Sequence, residues 1–254
     1  MKVHLIGSPR TGSTYFARTL RYYIAPETLG EKMRGTIGRQ YGNEPFRPDI
    51  EGLRGDNLKL FFETVINSIN EKPKLVMKSH TWHFHILNDL GLMDQFRSLH
   101  SYNILLLRRN IFNTALSSSI ARIKQEYFDY KDHSVIEIPL EDQQQSIDNY
   151  LQSLSDIKHN IFDLKFDEFV CYEDFTFNPK RDFFNTQLCK RSLDQLPNYH
   201  IEEHRFKSPD KKSTVRNFDE VYNFTADYLQ QKNINWMKIR DVEIVDFGID
   251  LKKE

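Results

Sequence analysis

Residues 7–14 read Gly-Ser-Pro-Arg-Thr-Gly-Ser-Thr, set between an apolar run and an amphipathic segment. No other stretch restricts the fold so much. Val3, Leu5 and Ile6 make the preceding run a buried strand. Phe16, Leu20, Tyr23 and Ile24 follow at i, i+4, i+7 and i+8, one face of a helix. Strand, glycine-bearing turn and helix in that order cradle an anion, because the turn's N–H groups and the helix N-terminus converge on one point. Gly7, Gly12 and the hydroxyls of Ser13 and Thr14 have the spacing of a nucleotide phosphate loop. Ser13 stands where a kinase carries lysine, and Arg10, within the loop, is the nearest cation in its place.

The rest of the chain alternates helix and strand. Residues 25–56 hold six glycines and three prolines (Gly30, Gly35, Gly38, Gly42, Gly52, Gly55; Pro26, Pro45, Pro48) with four scattered arginines, which predicts a substrate-binding loop or lid. Leu58, Phe61, Phe62, Val65, Ile66 and Ile69 form the stripe of a helix. A second strand runs from Pro73 into Lys78-Ser79-His80. Residues 84–98 read as helix interrupted at Gly91. Asn103–Leu107 is a continuous apolar run suited to a central parallel strand. It enters Arg108-Arg109-Asn110 and a helix with Phe112, Leu116, Ile120 and Ile123 on one face. Serines 117–119 lie inside that helix, where serine is mildly unfavourable, so at least one needs a specific partner. Residues 124–141 read as a polar surface connection and 143–162 as a long helix. Phe166–Tyr172 reads as a fourth strand, and Asn217 as the cap of a last helix. The expectation is a single α/β domain over 1–254, a central parallel sheet flanked by helices.

Composition narrows the function. The 35 Lys+Arg against 36 Asp+Glu leave a net charge of −1, which argues against general nucleic-acid binding and makes any anion site local. Two cysteines, Cys171 and Cys189, cannot make a disulfide framework, so a reducing compartment is expected. With no secretory segment and no apolar run near the roughly 20 residues a membrane helix needs, the reading is a cytoplasmic protein without membrane partners. Oligomeric state is open.

In an open parallel sheet, ligands bind beyond the carboxyl ends of the strands. Three strands here end in basic groups: Arg10 after the first, Lys78 with His80 after the second, Arg108 with Arg109 after the third. A fourth cluster, Lys207, Lys211, Lys212 and Arg216, precedes the last helix. Together they describe a cleft for a ligand with more than one phosphate-like group. A kinase needs the loop lysine and an acid after an apolar strand to hold Mg²⁺. Here the strand ends carry cations, so the site reads as metal-free. His80, His83 and His85 fit no common zinc spacing.

These residues resemble the sulfotransferases that use 3′-phosphoadenosine 5′-phosphosulfate (PAPS). Ser8-Pro9-Arg10-Thr11-Gly12-Ser13-Thr14 is similar to that family's 5′-phosphosulfate loop. Arg109, with Ser117 eight residues on, resembles its 3′-phosphate site. Lys78-Ser79-His80 resembles the Lys-Ser/Thr-His of cytosolic members, Tyr172-Glu173-Asp174 a largely structural motif after a later strand, and Val215–Val221 the segment after a late cofactor loop. The resemblance spans Ser8 to Val221 in the family's order. It implies a phosphate-loop NTPase-like fold and PAPS as co-substrate. Pro9, Arg10, Thr11, Gly12, Ser13 and Thr14 would hold the phosphosulfate, Arg109 and Ser117 the 3′-phosphate, with at least one of Lys211, Lys212 and Arg216 closing over it. Arg10 and Lys78 would neutralise charge on the transferring group.

Two residues compete as general base: His80 in its Lys-Ser-His context, and Glu31, whose Gly30-Glu31 resembles a catalytic glutamate of other branches. The acceptor is a small molecule, carbohydrate or peptide; nothing in 25–56 chooses among them. A P-loop kinase using ATP–Mg and a non-catalytic nucleotide-binding protein are the alternatives.

Overall fold

A computed structural model describes residues 2–13, 16, 17, 20, 53–99, 101–108, 110–125, 134–157, 166–172 and 211–234, with Phe169 and Cys171 as backbone. Four strands form its sheet: β1 (Lys2–Gly7), β2 (Leu75–Ser79), β3 (Tyr102–Leu107) and β4 (Glu168–Cys171). Their order is β2-β1-β3-β4, and every pair is parallel. Gly7 pairs with Leu106 and Ile6 with Ser79, so β1, β2 and β3 end at one level. Parallel strands need long crossovers, and helices supply them: α1 (Gly55–Glu71), α2 (Thr81–Asp89), α3 (Met93–Arg97), α4 (Ile111–Lys124) and α5 (Leu140–Asp156). A single turn, α6 (Lys211–Thr214), precedes α7 (Phe218–Gln231).

The continuous apolar runs follow from burial of both sheet faces. Ile6, Leu75, Met77, Leu105 and Leu107 point to one side, where Phe62, Val65, Ile66 and Ile69 of α1 and Phe84 and Leu87 of α2 join them. By strand alternation Val3, Leu5, Val76, Ile104 and Leu106 face the other side, and all are buried. A second cluster collects Phe112, Leu116 and Ile120 of α4 with Ile138, Val215 and Val221. Gly91, at φ 67°, separates α2 from α3, the interruption expected there.

Some boundaries differ from the expectation. The polar connection is not all surface: Ile138 is fully buried, and Ile136 forms a parallel bridge with Val215. Helix α5 starts at Leu140, three residues before Gln143, after the break that Pro139 provides at its N-cap. Asn217 is the N-cap residue of α7 but makes no side-chain cap bond. Its amide instead accepts from Ile138 N–H (3.0 Å) and donates to the Ile138 carbonyl (2.9 Å), imitating a strand neighbour.

Strand order fixes where a ligand can enter. From β1 the chain crosses to β2 on one side, while β3 leads outward to β4 on the other. The adjacent carboxyl ends of β1 and β3 are therefore the topological switch point, the crevice where open α/β sheets bind ligands.

Candidate functional site: a cationic crevice at the switch point

The loop after β1 is built by local chemistry. Thr11 Oγ1 donates to the Ser8 carbonyl at 2.7 Å and closes the turn. Phe16 N–H reaches back to the Gly12 carbonyl, so the helix starts at the loop's end. Gly12 has φ 76°, and a Cβ there would lie 2.2 Å from a ring carbon of Tyr172. Glycine is required on both counts. A Cβ on Gly7 would come within 2.9 Å of the Leu106 carbonyl, where β1 and β3 run together.

Arg10 also takes a left-handed conformation, φ 65°. For a non-glycine residue this costs about 1 kcal/mol or more and persists only where neighbours enforce it. Two contacts do so. Arg108 Nη1 donates to the Arg10 carbonyl at 2.8 Å, and the Arg10 guanidinium donates to Ser117 Oγ from Nε (3.1 Å) and Nη2 (3.0 Å). Ser117 is buried on α4, whose start is set by Asn110 accepting from Asn113 N–H at 2.8 Å. Arg10 thus joins the loop after β1 to the helix after β3 across 107 residues of sequence.

Lys211 completes the cluster. Its Nζ donates to the Asn113 carbonyl at 2.7 Å, one turn before Ser117. Burial, then the charges of Arg108 and Arg10, hold its pKa well below the usual 10.5. Of the three basic candidates before α7, Lys211 is therefore the one at the crevice. Lys212 is exposed, and Arg216, 72% exposed, stands 4.0 Å from Glu137.

On the β2 side, Lys78 is buried at a strand end. His80 Nδ1 lies 3.0 Å from the Gly7 carbonyl. A carbonyl only accepts, so Nδ1 carries the proton and Nε2 the lone pair of the neutral ring. His83 is turned inward, its Nδ1 accepting from His80 N–H at 2.8 Å, while His85 pairs with Asp156 at 2.9 Å. The three histidines do not converge, and among the described residues no His, Cys, Asp and Glu gather as a metal site.

Of the expected site residues, Pro9, Arg10, Thr11, Gly12 and Ser13 lie in the loop or at the helix start; Pro9 is exposed, and Thr11 and Ser13 are buried. Arg10, Ser117 and Lys211 come together. Thr14, Glu31 and Arg109 fall outside the described residues, as do 25–52 of the expected lid. Sequence reasoning missed Asn113, Arg108's grip on the loop, and His4. Buried in β1, His4 has Nε2 2.8 Å from Ser79 Oγ, and burial lowers its pKa to about 3. Its position among Val3, Leu5 and Ile6 was the available signal.

No protein-family model and no curated protein matches the chain. Among solved structures it is similar to the sulfotransferase domain from the curacin biosynthetic pathway. Identity is 15% and the TM-score 0.43, over 82% of this chain and 78% of that one. A likeness at that level decides nothing about activity.

Hydroxyls and basic groups of the kind that hold anions meet at the crevice. Ser8 Oγ, buried in the loop, has no hydrogen-bond partner among the described residues. Ser117 Oγ accepts both Arg10 bonds, which leaves its own proton to donate. Arg10, Arg108 and Lys211 beside these hydroxyls suit a ligand carrying several negative oxygens.

Proposed function

We propose that the chain is a sulfotransferase that moves a sulfuryl group from PAPS to a hydroxyl or amine acceptor by in-line displacement. The Arg10–Ser117 contact carries this reading. It ties a loop suited to a 5′-phosphosulfate to a helix suited to a 3′-phosphate, so one guanidinium serves both ends of a bisphosphate. Arg109 and Ser117 grip the 3′-phosphate, and Lys211 closes over it. The loop N–H groups, with Ser13 and Thr14, hold the 5′ end. Arg10 and Lys78 offset charge on the sulfuryl and bridging oxygens, where fixed donors lower the barrier most.

His80 is the base in this reading. In it Nε2 takes the acceptor's proton while Nδ1 is held on the Gly7 carbonyl. Glu31 is the competing candidate, and turnover in His80→Ala and Glu31→Gln separates them. His80→Ala is expected to lose about 10²-fold or more in kcat; near-wild-type turnover removes it as base.

The experiment is a screen of radiolabelled PAPS against carbohydrate, phenol, peptide and lipid acceptors. Label in an acceptor supports the proposal. Tight binding of adenosine 3′,5′-bisphosphate with no transfer to any class favours a non-catalytic binder, and Mg²⁺-dependent ATP turnover a kinase.

A further inference from the structure

The carboxyl end of β3 carries two arginines, and the proposed function uses only the second. Arg108 has its own set of contacts. Its Nη1 donates to the Arg10 carbonyl at 2.8 Å. The guanidinium lies over the Tyr172 ring, 4.6 Å from the centroid. The backbone of Arg108 is held too, since its carbonyl accepts the Tyr150 hydroxyl of α5. Tyr172 in turn fills the space beside Gly12 that any Cβ would occupy. The ring touches the loop at Gly12 while the arginine on its face grips the loop at residue 10.

Arg10 is the residue that needs such a grip. Its φ of 65° is one that L residues avoid, and its side chain reaches Ser117 from that backbone. In the ordinary right-handed or extended conformation the guanidinium would leave in another direction. A planar guanidinium can present an edge to a carbonyl and a face to an aromatic ring at once, which a lysine ammonium cannot.

We propose that Arg108 is a positioning residue for the anion site: stacked on Tyr172, it locks the Arg10 backbone so that the Arg10 guanidinium is delivered to Ser117 and to a bound anion. Arg108 acts on the ligand through Arg10. The proposal rests on the reading of the loop as an anion site and goes beyond it, since the phosphates are assigned to other residues.

The test is a double-mutant cycle on the full chain. Dissociation constants for adenosine 3′,5′-bisphosphate are measured by calorimetry in wild type, Arg10→Ala, Arg108→Ala and the double variant, with melting temperatures showing that each is folded. Arg108→Lys keeps the charge and separates a field effect from the locked geometry. The expected result is a loss of about tenfold for Arg108→Ala in wild type and almost none in the Arg10→Ala background. Arg108→Lys should stay close to Arg108→Ala. Losses that add in the double variant, or full recovery by lysine, would overturn the proposal, because Arg108 would then act directly or by charge alone. Inorganic pyrophosphate is titrated in parallel. If wild type binds pyrophosphate and not the nucleotide, the PAPS reading fails and the cycle is read on pyrophosphate. If wild type binds neither, the loop holds no anion and the positioning role falls with it. Should Arg108→Ala not fold, Tyr172→Leu removes the stacking face instead, and the same non-additivity with Arg10→Ala is required.

Discussion

His4 shows how one buried side chain can set a pH limit on the fold. The folded protein holds the ring neutral, with a pKa of about 3, whereas an unfolded chain protonates it near 6.5. Between those values the unfolded state binds a proton that the native state refuses. Its contribution is therefore fully present above pH 6.5 and is lost as pH falls, at about 1.4 kcal/mol per unit. From pH 7 to pH 5 the unfolding free energy of wild type relative to His4→Asn should drop by about 2 kcal/mol. Denaturant titrations at the two pH values measure this; a constant difference would show that His4 does not titrate on unfolding. Lys211 has the opposite linkage to ligand. Its amine is held below 10.5 by burial and by two arginines, and a bound dianion would restore the charged form. Calorimetry of adenosine 3′,5′-bisphosphate in buffers of different ionisation enthalpy should detect proton uptake setting in well below pH 10.5. Lys211→Arg should abolish it, and uptake confined to the region of 10.5 would contradict the account.

At the scale of elements, the linkers between helices are held by side chains that imitate backbone. Asn217 pairs with both polar backbone atoms of Ile138, and beside it Ile136 bridges Val215. This fastens the start of α5 to the turn that carries Lys211. Asn217→Ala leaves the backbone groups of a fully buried residue without those partners and should cost about 1–3 kcal/mol, read from chemical denaturation. A change below a few tenths would mean the pairing contributes nothing. The serines of α4 have partners of two kinds. Ser117 takes Arg10, whereas Ser119 lies 3.1 Å from Gln143 Oε1 and 2.9 Å from Ser146 Oγ on α5. Gln143 continues to Thr225 of α7 at 3.1 Å, so a buried polar chain ties three helices. That some serine needed a partner was legible from propensity. Which one, and with what, depends on helix packing that local sequence does not encode.

For the whole molecule, β1, β3, α1 and the break at Gly91 were readable because burial on both sheet faces, helical periodicity and a positive φ each leave a local signature. Ile138 and the early start of α5 were not, since packing against Val215 and Val221 buries one and Pro139 starts the other against a polar run. The crevice was half legible. The loop spacing named Arg10, the basic cluster before the last helix included Lys211, and the family resemblance named Ser117, but their meeting depends on the order β2-β1-β3-β4. No local pattern marks Arg108 as the residue holding Arg10, because the contact spans 98 positions. Among the described residues no helix is long and apolar enough to cross a membrane.

In the proposed function the switch point is a clamp for two phosphate-like groups on one nucleotide. Calorimetric titration of adenosine 3′,5′-bisphosphate against adenosine 5′-monophosphate tests it most directly, in wild type and in Arg109→Ala. The bisphosphate is expected to bind at least about tenfold more tightly, as one additional charge-assisted phosphate grip should give, and Arg109→Ala to erase the difference. Equal affinities of the wild-type protein for the two nucleotides would contradict it.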